Sequence, residues 1–588
     1  MKNIDLGLII FCLFLTSFND ASAQMFLHTE GQNIVDGNGK NVLLRGLGLG
    51  GWMVQEGYML QTGKFAGPQH IIRQKIEDLI GKEKTRLFYD AYLANGVTKR
   101  DVDSLASWGF NSIRLPMHYN LFTPPIQNEK NDGITWIEKG FQMTDELLEW
   151  CKENQMYLIL DLHAAPGGQG NDANISDYDT SKPSLWESEA NQKKMIALWR
   201  ELANRYKDEP WIGGYDIINE PNWNFTGENI NGCDETANAP LRKLMVDITK
   251  AIREVDPNHI IFIEGNCWGN NYKGIFPLWD DNTVLSFHKY WNFNTKESIQ
   301  EFLDYRKKYN VPIWLGESGE NSNVWFKEAI SLMEANNIGW AFWPMKKVDN
   351  IAGVTSVTKN PGFEIILNYW KKGGEKPSEA LAFNALMQLA ENYKMEHLTI
   401  KPDVIDAMFR QVNTNTTKPY KKNSIPGFIY ATEYDLGTNG HAYLDKDFIN
   451  YRVDTGIQVS WNKGNKMRND GVDIQTCNDR NSNGYEVFDI QDGEWLQYTV
   501  TAQTGGAFDV SIRYSSNVTE GAFHLENDKR HISKVLTLPK TTNDSTIYKT
   551  MIIENVKLSK GKNKIKLIFD KGGVILNYLE FKRKKDEK

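Results

Sequence analysis

The sequence predicts an α/β chain in two parts: a (β/α)8 TIM barrel followed by an all-β sandwich of jelly-roll type. Three observations lead there. Between about Asn41 and Lys347, short runs rich in β-branched residues alternate with longer stretches of helical period, as repeated βα units on a parallel sheet require. Eight such runs can be counted, the number that closes a barrel. Beyond Ser424 the apolar period falls to two, which half-buried antiparallel strands demand.

The chain opens MKN, continues through an apolar stretch at residues 6–15, and reaches Ala21-Ser22-Ala23 before Gln24. That is the pattern of a cleaved secretory signal peptide, here residues 1–23. Export to the medium, periplasm or cell surface is therefore expected, as a soluble monomer, since no later segment approaches the roughly 20 apolar residues of a membrane span. Cys12 leaves with the signal. Cys151, Cys233, Cys267 and Cys477 remain, too scattered for a zinc site, so one structural disulfide is conceivable but a framework is not. With 588 residues the chain exceeds one hydrophobic core. Net charge is -8, and the lone basic block, Lys582-Arg583-Lys584-Lys585, reads as a solvated terminus. Nucleic acid is thus not an expected partner.

The eight runs are Val42-Leu43-Leu44-Arg45, Ser112-Ile113-Arg114-Leu115, Tyr157-Leu158-Ile159-Leu160, Tyr215-Asp216-Ile217-Ile218, Ile260-Ile261-Phe262-Ile263, Val284-Leu285-Ser286-Phe287, Ile313-Trp314-Leu315 and Trp340-Ala341-Phe342-Trp343. Between the third and fourth, Met195, Leu198, Trp199, Leu202 and Tyr206 recur at three and four residues, a helix with one buried face. Leu381, Ala385, Leu386 and Leu389 predict another, and a shorter one is expected over residues 404–412. The barrel is thus assigned to 24–412. Residues 413–424, NTNTTKPYKKNS, have linker composition. The sandwich takes 425–588, where Phe508, Val510, Ile512 and Tyr514, then Ile565, Leu567 and Phe569, occupy alternate positions.

Barrel chemistry sits where strands end. Those ends carry Arg114, His163, Asn219 with Glu220, Glu264, His288 with Tyr290, Glu317, and Trp343. Glu220 and Glu317 are the pair that matters, because cleaving a glycosidic bond needs one carboxylic acid to protonate the leaving oxygen and one carboxylate opposite it. Pro221 steers Glu220 away from helical dihedrals, and an extended conformation at the strand edge is expected. A lone glutamate or histidine at such an edge would more simply be a structural partner; the pattern of several is what points to chemistry.

Ile218-Asn219-Glu220-Pro221, Leu315-Gly316-Glu317 and Arg114-Leu115-Pro116 resemble the motifs of glycoside hydrolase family 5. The resemblance implies a retaining enzyme with Glu220 as acid/base and Glu317 as nucleophile, supported by Arg114, His163, Asn219, His288, Tyr290 and Trp343. It gives Glu264 no role; that residue is read as structural or as a subsite contact, and Asp161 as a buried hydrogen-bonding group. Gly50-Gly51-Trp52-Met53-Val54, with Asp161-Leu162-His163-Ala164-Ala165-Pro166-Gly167, is similar to the exo-1,3-β-glucanase branch. That makes β-1,3-glucan the leading substrate, with β-1,4-glucan or mannan as alternatives within the family. A non-catalytic glycan-binding barrel is the reading from another class. Gly46, Gly48 and Gly51 formally satisfy a dinucleotide fingerprint, yet they fall in a barrel's first βα loop and an exported protein has little access to that cofactor.

The second part resembles family 6 carbohydrate-binding modules through Gly493-Glu494-Trp495-Leu496-Gln497-Tyr498 and Leu576-Asn577-Tyr578. The resemblance makes Tyr485 and Asn577 the glycan-binding matches and Trp495 a core residue. Where that family carries two glutamates of a structural calcium site, this chain has Tyr430 and Thr432, which argues against calcium. No cofactor or metal is expected, and the partner is polysaccharide.

Overall fold

The computed structural model describes residues 25–129, 133–448, 461–516, 520–542 and 546–584. The expected signal peptide lies outside them. Eight parallel strands close a barrel: β1 (Arg45–Gly48), β2 (Ser112–His118), β3 (Tyr157–Ala164), β4 (Ile212–Asp216), β5 (Ile261–Glu264), β6 (Thr283–Lys289), β7 (Ile313–Gly319) and β8 (Gly339–Trp343), with β8 pairing back onto β1. Each of the eight expected runs overlaps one strand. Two are displaced. The first strand begins at Arg45 because the Asn111 side chain takes up neighbouring backbone groups, donating to Leu43 O and accepting from Arg45 N. The fourth ends at Asp216, leaving Ile217 to Glu220 as a leader into the loop.

The barrel interior is stratified. Its lower half is apolar, built from Tyr157, Ile159, Phe262, Val284 and Trp314 and closed from below by Leu27 and Ile34 of an N-terminal hairpin. Above lies a charged layer in which Arg114, Asp161, Asp216 and Glu264 are fully buried. Outside, the expected helix runs Glu189–Tyr206 and buries all five of its periodic residues, with Ser188 capping it by accepting from Asn191 N. Glu379–Asn392 and Pro402–Met408 form where expected. One unit departs from the pattern: after β5 the chain makes only the four-residue turn Asn266–Gly269 before β6. A disulfide, Cys233–Cys267, ties that turn to the loop following β4.

The sandwich packs two sheets about an apolar core that includes Phe508, Val510, Ile512, Tyr514, Ile565, Leu567 and Phe569. One sheet runs β9 (Asn423–Ile425), β10 (Trp495–Ala502), β15 (Gly561–Lys571), β12 (Glu520–Asn527), β13 (Arg530–His531). The other is centred on β16 (Val574–Arg583), flanked by β11 (Gly506–Ser516), with β14 (Lys549–Leu558) beyond it. Trp495 is not a core residue, contrary to expectation. It stands half-buried on the outer face, with Lys566 Nζ 3.6 Å above its ring.

Residues 413–424 are not a free tether. Lys418 and Leu436 exchange backbone hydrogen bonds, fastening the segment to the sandwich. A buried polar knot then joins the two domains. Asn469 donates its backbone N–H to Asp403 and its amide to Asn321 O and Asn323 Oδ1, at 2.7 to 2.9 Å. Because every member of the knot would lose a partner on separation, the two domains are held in one orientation.

Candidate active site

The eight barrel residues to which the family resemblance gives a role converge on the C-terminal mouth. Arg114 is the hub. Its guanidinium donates to Asp216 Oδ2 and Asn219 Oδ1 at 2.9 Å, to Glu264 Oε1 at 3.1 Å and to Glu317 Oε1 at 2.5 Å. The Tyr290 hydroxyl donates to Glu317 Oε2 at 3.0 Å, so both oxygens of that carboxylate are fixed from below. Glu220 Oε1 meets His288 Nδ1 at 2.5 Å. A carboxylate oxygen of Glu220, one of Glu317 and a His288 nitrogen all lie within 4.8 Å of one another.

Glu220 is not extended. Its φ is +42°, in the left-handed region that a non-glycine residue occupies at a cost of about 1–3 kcal/mol. Pro221 does bar the right-handed helical conformation, but the chain takes the left-handed alternative. Two side chains hold it there: Glu264 accepts from Glu220 N at 2.7 Å, and Asn222 donates to Glu220 O at 2.8 Å. Glu264 therefore links the hub to the acid and positions both.

Six carboxyl groups (Glu56, Asp161, Asp216, Glu220, Glu264, Glu317) share this cluster with three cationic groups, Arg114, His163 and His288. Full ionisation would leave an uncompensated negative charge in a water-poor site, so some carboxyls stay protonated. Burial raises the pKa of Glu220, and the negative charges of Glu317 and Glu264 add to the effect against the opposing pull of His288. Glu317 goes the other way. Burial works against its charge, but His288, Arg114, His163 and the Tyr290 hydroxyl outweigh it and hold its pKa below the ordinary value. Burial likewise disfavours a charged His163, yet Asp161, 2.9 Å from Nδ1, carries its pKa to about 10. Two adjacent carboxyls are thus driven apart, one toward acid and one toward anion.

Above the pair a cleft of about 1420 Å³ opens, larger than the roughly 300–1,000 Å³ of ordinary small-molecule pockets. Trp343 forms part of its wall. Its indole stacks on the His163 ring at 4.9 Å and donates to the Tyr58 hydroxyl at 2.9 Å. Of the dinucleotide-like glycines, Gly48 has its explanation here, as does the neighbouring Gly50: a Cβ on either would stand 2.5 or 2.6 Å from Trp343 ring carbons. Asn219 and Arg114 lie beneath the floor, fully buried, and Asn219 turns its amide to His163 Nε2 at 3.4 Å.

Other residues of the cleft carry no strand-end signal in the sequence. Glu56, Tyr58, Trp268, Trp291 and Glu320 line it from loops. Burial pushes the Glu56 carboxyl up to about 7, against the lowering effect of His163, whose Nε2 is 3.8 Å away. Glu56 follows the aromatic-glycine run of the first βα loop, which is a usable signal. Trp268 has none, since its place depends on two successive left-handed residues, Cys267 and Trp268, beside the disulfide.

In the sandwich the outcome differs. Asn577 has no exposure at all; it donates to Asp479, which is itself paired with Arg513 at 2.7 Å. As a glycan contact Asn577 is therefore corrected to a buried structural partner. Tyr485 is half-buried against the apolar core.

Residues 78–349 match the cellulase family, glycosyl hydrolase family 5, and residues 465–583 match carbohydrate binding module family 6. A β-xylosidase of Phanerodontia chrysosporium is 29% identical over 372 residues, covering 57% of this chain and 73% of that protein. Endoglucanase C of Acetivibrio thermocellus is 27% identical over 326 residues, 45% of this chain and 88% of that protein. A probable glucan 1,3-β-glucosidase A of Aspergillus clavatus is 22% identical over 297 residues, 48% of this chain and 66% of that one.

Proposed function

From a glycoside hydrolase whose barrel is a family 5 domain and whose sandwich is a family 6 carbohydrate-binding module, we propose a retaining enzyme that cleaves β-glucan by double displacement. The observation carrying this reading is the approach of the Glu220 and Glu317 carboxylate oxygens to within 4.8 Å. Retaining enzymes hold their carboxyls about 5–5.5 Å apart, too close for an attacking water between them. Glu317, kept anionic, attacks the anomeric carbon while Glu220 gives its proton to the leaving oxygen. Esterification of Glu317 removes one of the charges that, with burial, raise the Glu220 pKa, and Glu220 then takes a proton from the incoming water.

β-1,3-Glucan is the leading substrate, supported by the motif around Trp52 and His163 and by the similarity to a 1,3-β-glucosidase. A β-1,4-linked chain is the second reading, favoured by the similarity to endoglucanase C over most of that protein. Purified protein would be incubated with laminarin, cellulose, mixed-linkage glucan, mannan and xylan, with products sized and their first-formed anomer read by NMR. Laminarin cleaved fastest with β-anomer released first is the expected result. Inverted anomer would overturn the retaining mechanism, and preference for cellulose or xylan would replace the substrate. Export is part of the proposal: the Cys233–Cys267 bridge suits an oxidising compartment. An N-terminus near Gln24 on the protein recovered outside the cytoplasm would be its test.

A further inference from the structure

Away from the cleft, at the edge of the sandwich, His524, Glu526 and His531 bring one ligand-capable atom each to within 4.8 Å of the others. The local sequence explains why. His524 and Glu526 are two apart on β12, so they share one face of the sheet. Asp528 and Lys529 follow with φ of +49° and +65°, the two left-handed residues of a tight hairpin turn. Such a turn fixes the register, pairing Asn527 with Arg530 and Glu526 with His531. The three side chains are therefore placed by backbone geometry, not by chance meeting of long surface groups.

The ligand-capable atoms are close, while the two imidazoles stack with centroids 4.6 Å apart and planes 18° apart, so the exposed His531 ring must turn for both to face one ion. Glu526 Oε1 lies 3.8 Å from His524 Nε2 and 3.6 Å from His531 Nε2. Donors about 2.0–2.1 Å from a tetrahedral zinc ion stand roughly 3.4 Å apart, so the two glutamate–histidine pairs need contraction by a few tenths of an ångström, and the histidine pair closes by rotation of the exposed His531 side chain. His524 Nδ1 is 2.7 Å from Asp570 Oδ2 on the neighbouring strand β15. A carboxylate oxygen accepts, so Nδ1 donates to Asp570 and Nε2 is the ring nitrogen left to face the site. A carboxylate behind a histidine in this way is the usual outer partner of a ligating imidazole. His524 is buried while His531 is 65% exposed, so the site is rigid on its inner side and open to entry on its outer side. Lys566, the register partner of Glu526 on β15, is an adverse charge, but its ammonium is drawn over the Trp495 ring.

We propose that His524, Glu526 and His531 form a divalent transition-metal site, with zinc as its best-fitting ion. Two imidazoles and one carboxylate supply three ligands, leaving a fourth position to solvent on the face that also carries Trp495. The ion would clamp the two-residue strand β13 to β12 and stiffen that edge of the module.

Full-length protein, stripped with chelator and returned to metal-free buffer, would be titrated with zinc chloride by calorimetry. The expected result is one equivalent bound in the micromolar range or tighter, with at least 100-fold weakening in His531→Ala and in His524→Ala. Asp570→Asn should weaken binding by about 10–100-fold through loss of the outer partner. Zinc X-ray absorption should report two nitrogen donors at about 2.0–2.1 Å. His531→Ala changes an exposed edge residue, so its far-ultraviolet dichroism and melting temperature in chelator should match the parent. Absence of binding, or binding that survives both histidine substitutions, overturns the proposal. Zinc that blocks hydrolysis and is retained by His531→Ala would assign the ion to Glu220, His288 and Glu317 instead, and would equally overturn it.

Discussion

The mouth of the barrel and the second sheet of the sandwich differ in how far position along a strand determines position in space. In the barrel, Glu220, Glu317 and six supporting residues, drawn from six strands or the loops just beyond them, meet at one site. In the sandwich, Asn577 is sealed beneath an Asp479–Arg513 pair and Tyr485 is half-buried. Closure explains the contrast. A parallel barrel sends every strand's C-terminal end to one rim, so a residue's place along its strand nearly fixes its place in space. A sandwich has two outer faces and loops at both ends, and strand position alone does not choose among them.

The sharpest way to test this contrast is to remove the group on which the barrel's chemistry depends. Glu317→Ala should lower kcat on the order of 10⁴-fold or more, while retention of the protein on insoluble glucan in a pull-down stays unchanged. Loss of both together would mean that the two regions are not separable in function.

Glu220→Ala should cost less, about 10²–10⁴-fold on polysaccharide. With aryl glycosides whose leaving group needs no proton, the first step should be nearly unaffected, and burst kinetics would separate the two steps. An equal loss on both substrates would remove Glu220 from the acid role.

The pH profile follows from the opposite shifts. With the Glu220 pKa raised and the Glu317 pKa lowered, kcat/KM should fall at high pH as Glu220 loses its proton and at low pH as Glu317 gains one. Glu56 adds a stability term. Its pKa rises from an ordinary 4.5 to about 7 on folding, so the unfolded chain ionises first and stability declines as pH climbs from about 4.5 through 7. Glu56→Gln should therefore be more stable than the parent at pH 8, by up to roughly 3 kcal/mol, with little difference at pH 4. Urea titrations at the two pH values would measure it; a gain at pH 4 as large as at pH 8 would exclude titration as its source.

The smallest effect belongs to the sandwich. Asn577→Ala removes a buried partner of Asp479 and should destabilise the module by about 1–3 kcal/mol without changing glucan retention. Retention lost at full stability would restore Asn577 as a glycan contact and narrow the difference between the two regions.

Much of the fold was legible because periodicity reports burial directly. Alternation at residues 508–514 and 565–569 and the helical spacing from Met195 to Tyr206 each marked a face that the structure buries. Strand limits were less legible: Asn111, a residue distant in sequence, shifted the start of β1 by capturing backbone groups that periodicity cannot weigh. The candidate site was legible where it lay on strand ends and illegible where it lay on loops. Glu56, Trp268 and Glu320 line the cleft from segments with no regular period. Glu264 stands at a strand end in the sequence, but its part in holding Glu220 exists only once two strands stand side by side.

By itself, then, the sequence determined the alternation of strands and helices, the change of period that separates barrel from sandwich, and the two glutamates with their immediate neighbours. The tertiary structure decided which carboxyl keeps its proton, which backbone conformation Glu220 adopts, and whether the module is tethered or locked in place by Asn469. Those matters depend on distances between groups far apart along the chain. Hydrogen bonds form only within a few ångströms and charge interactions weaken with separation, and no local pattern encodes that separation.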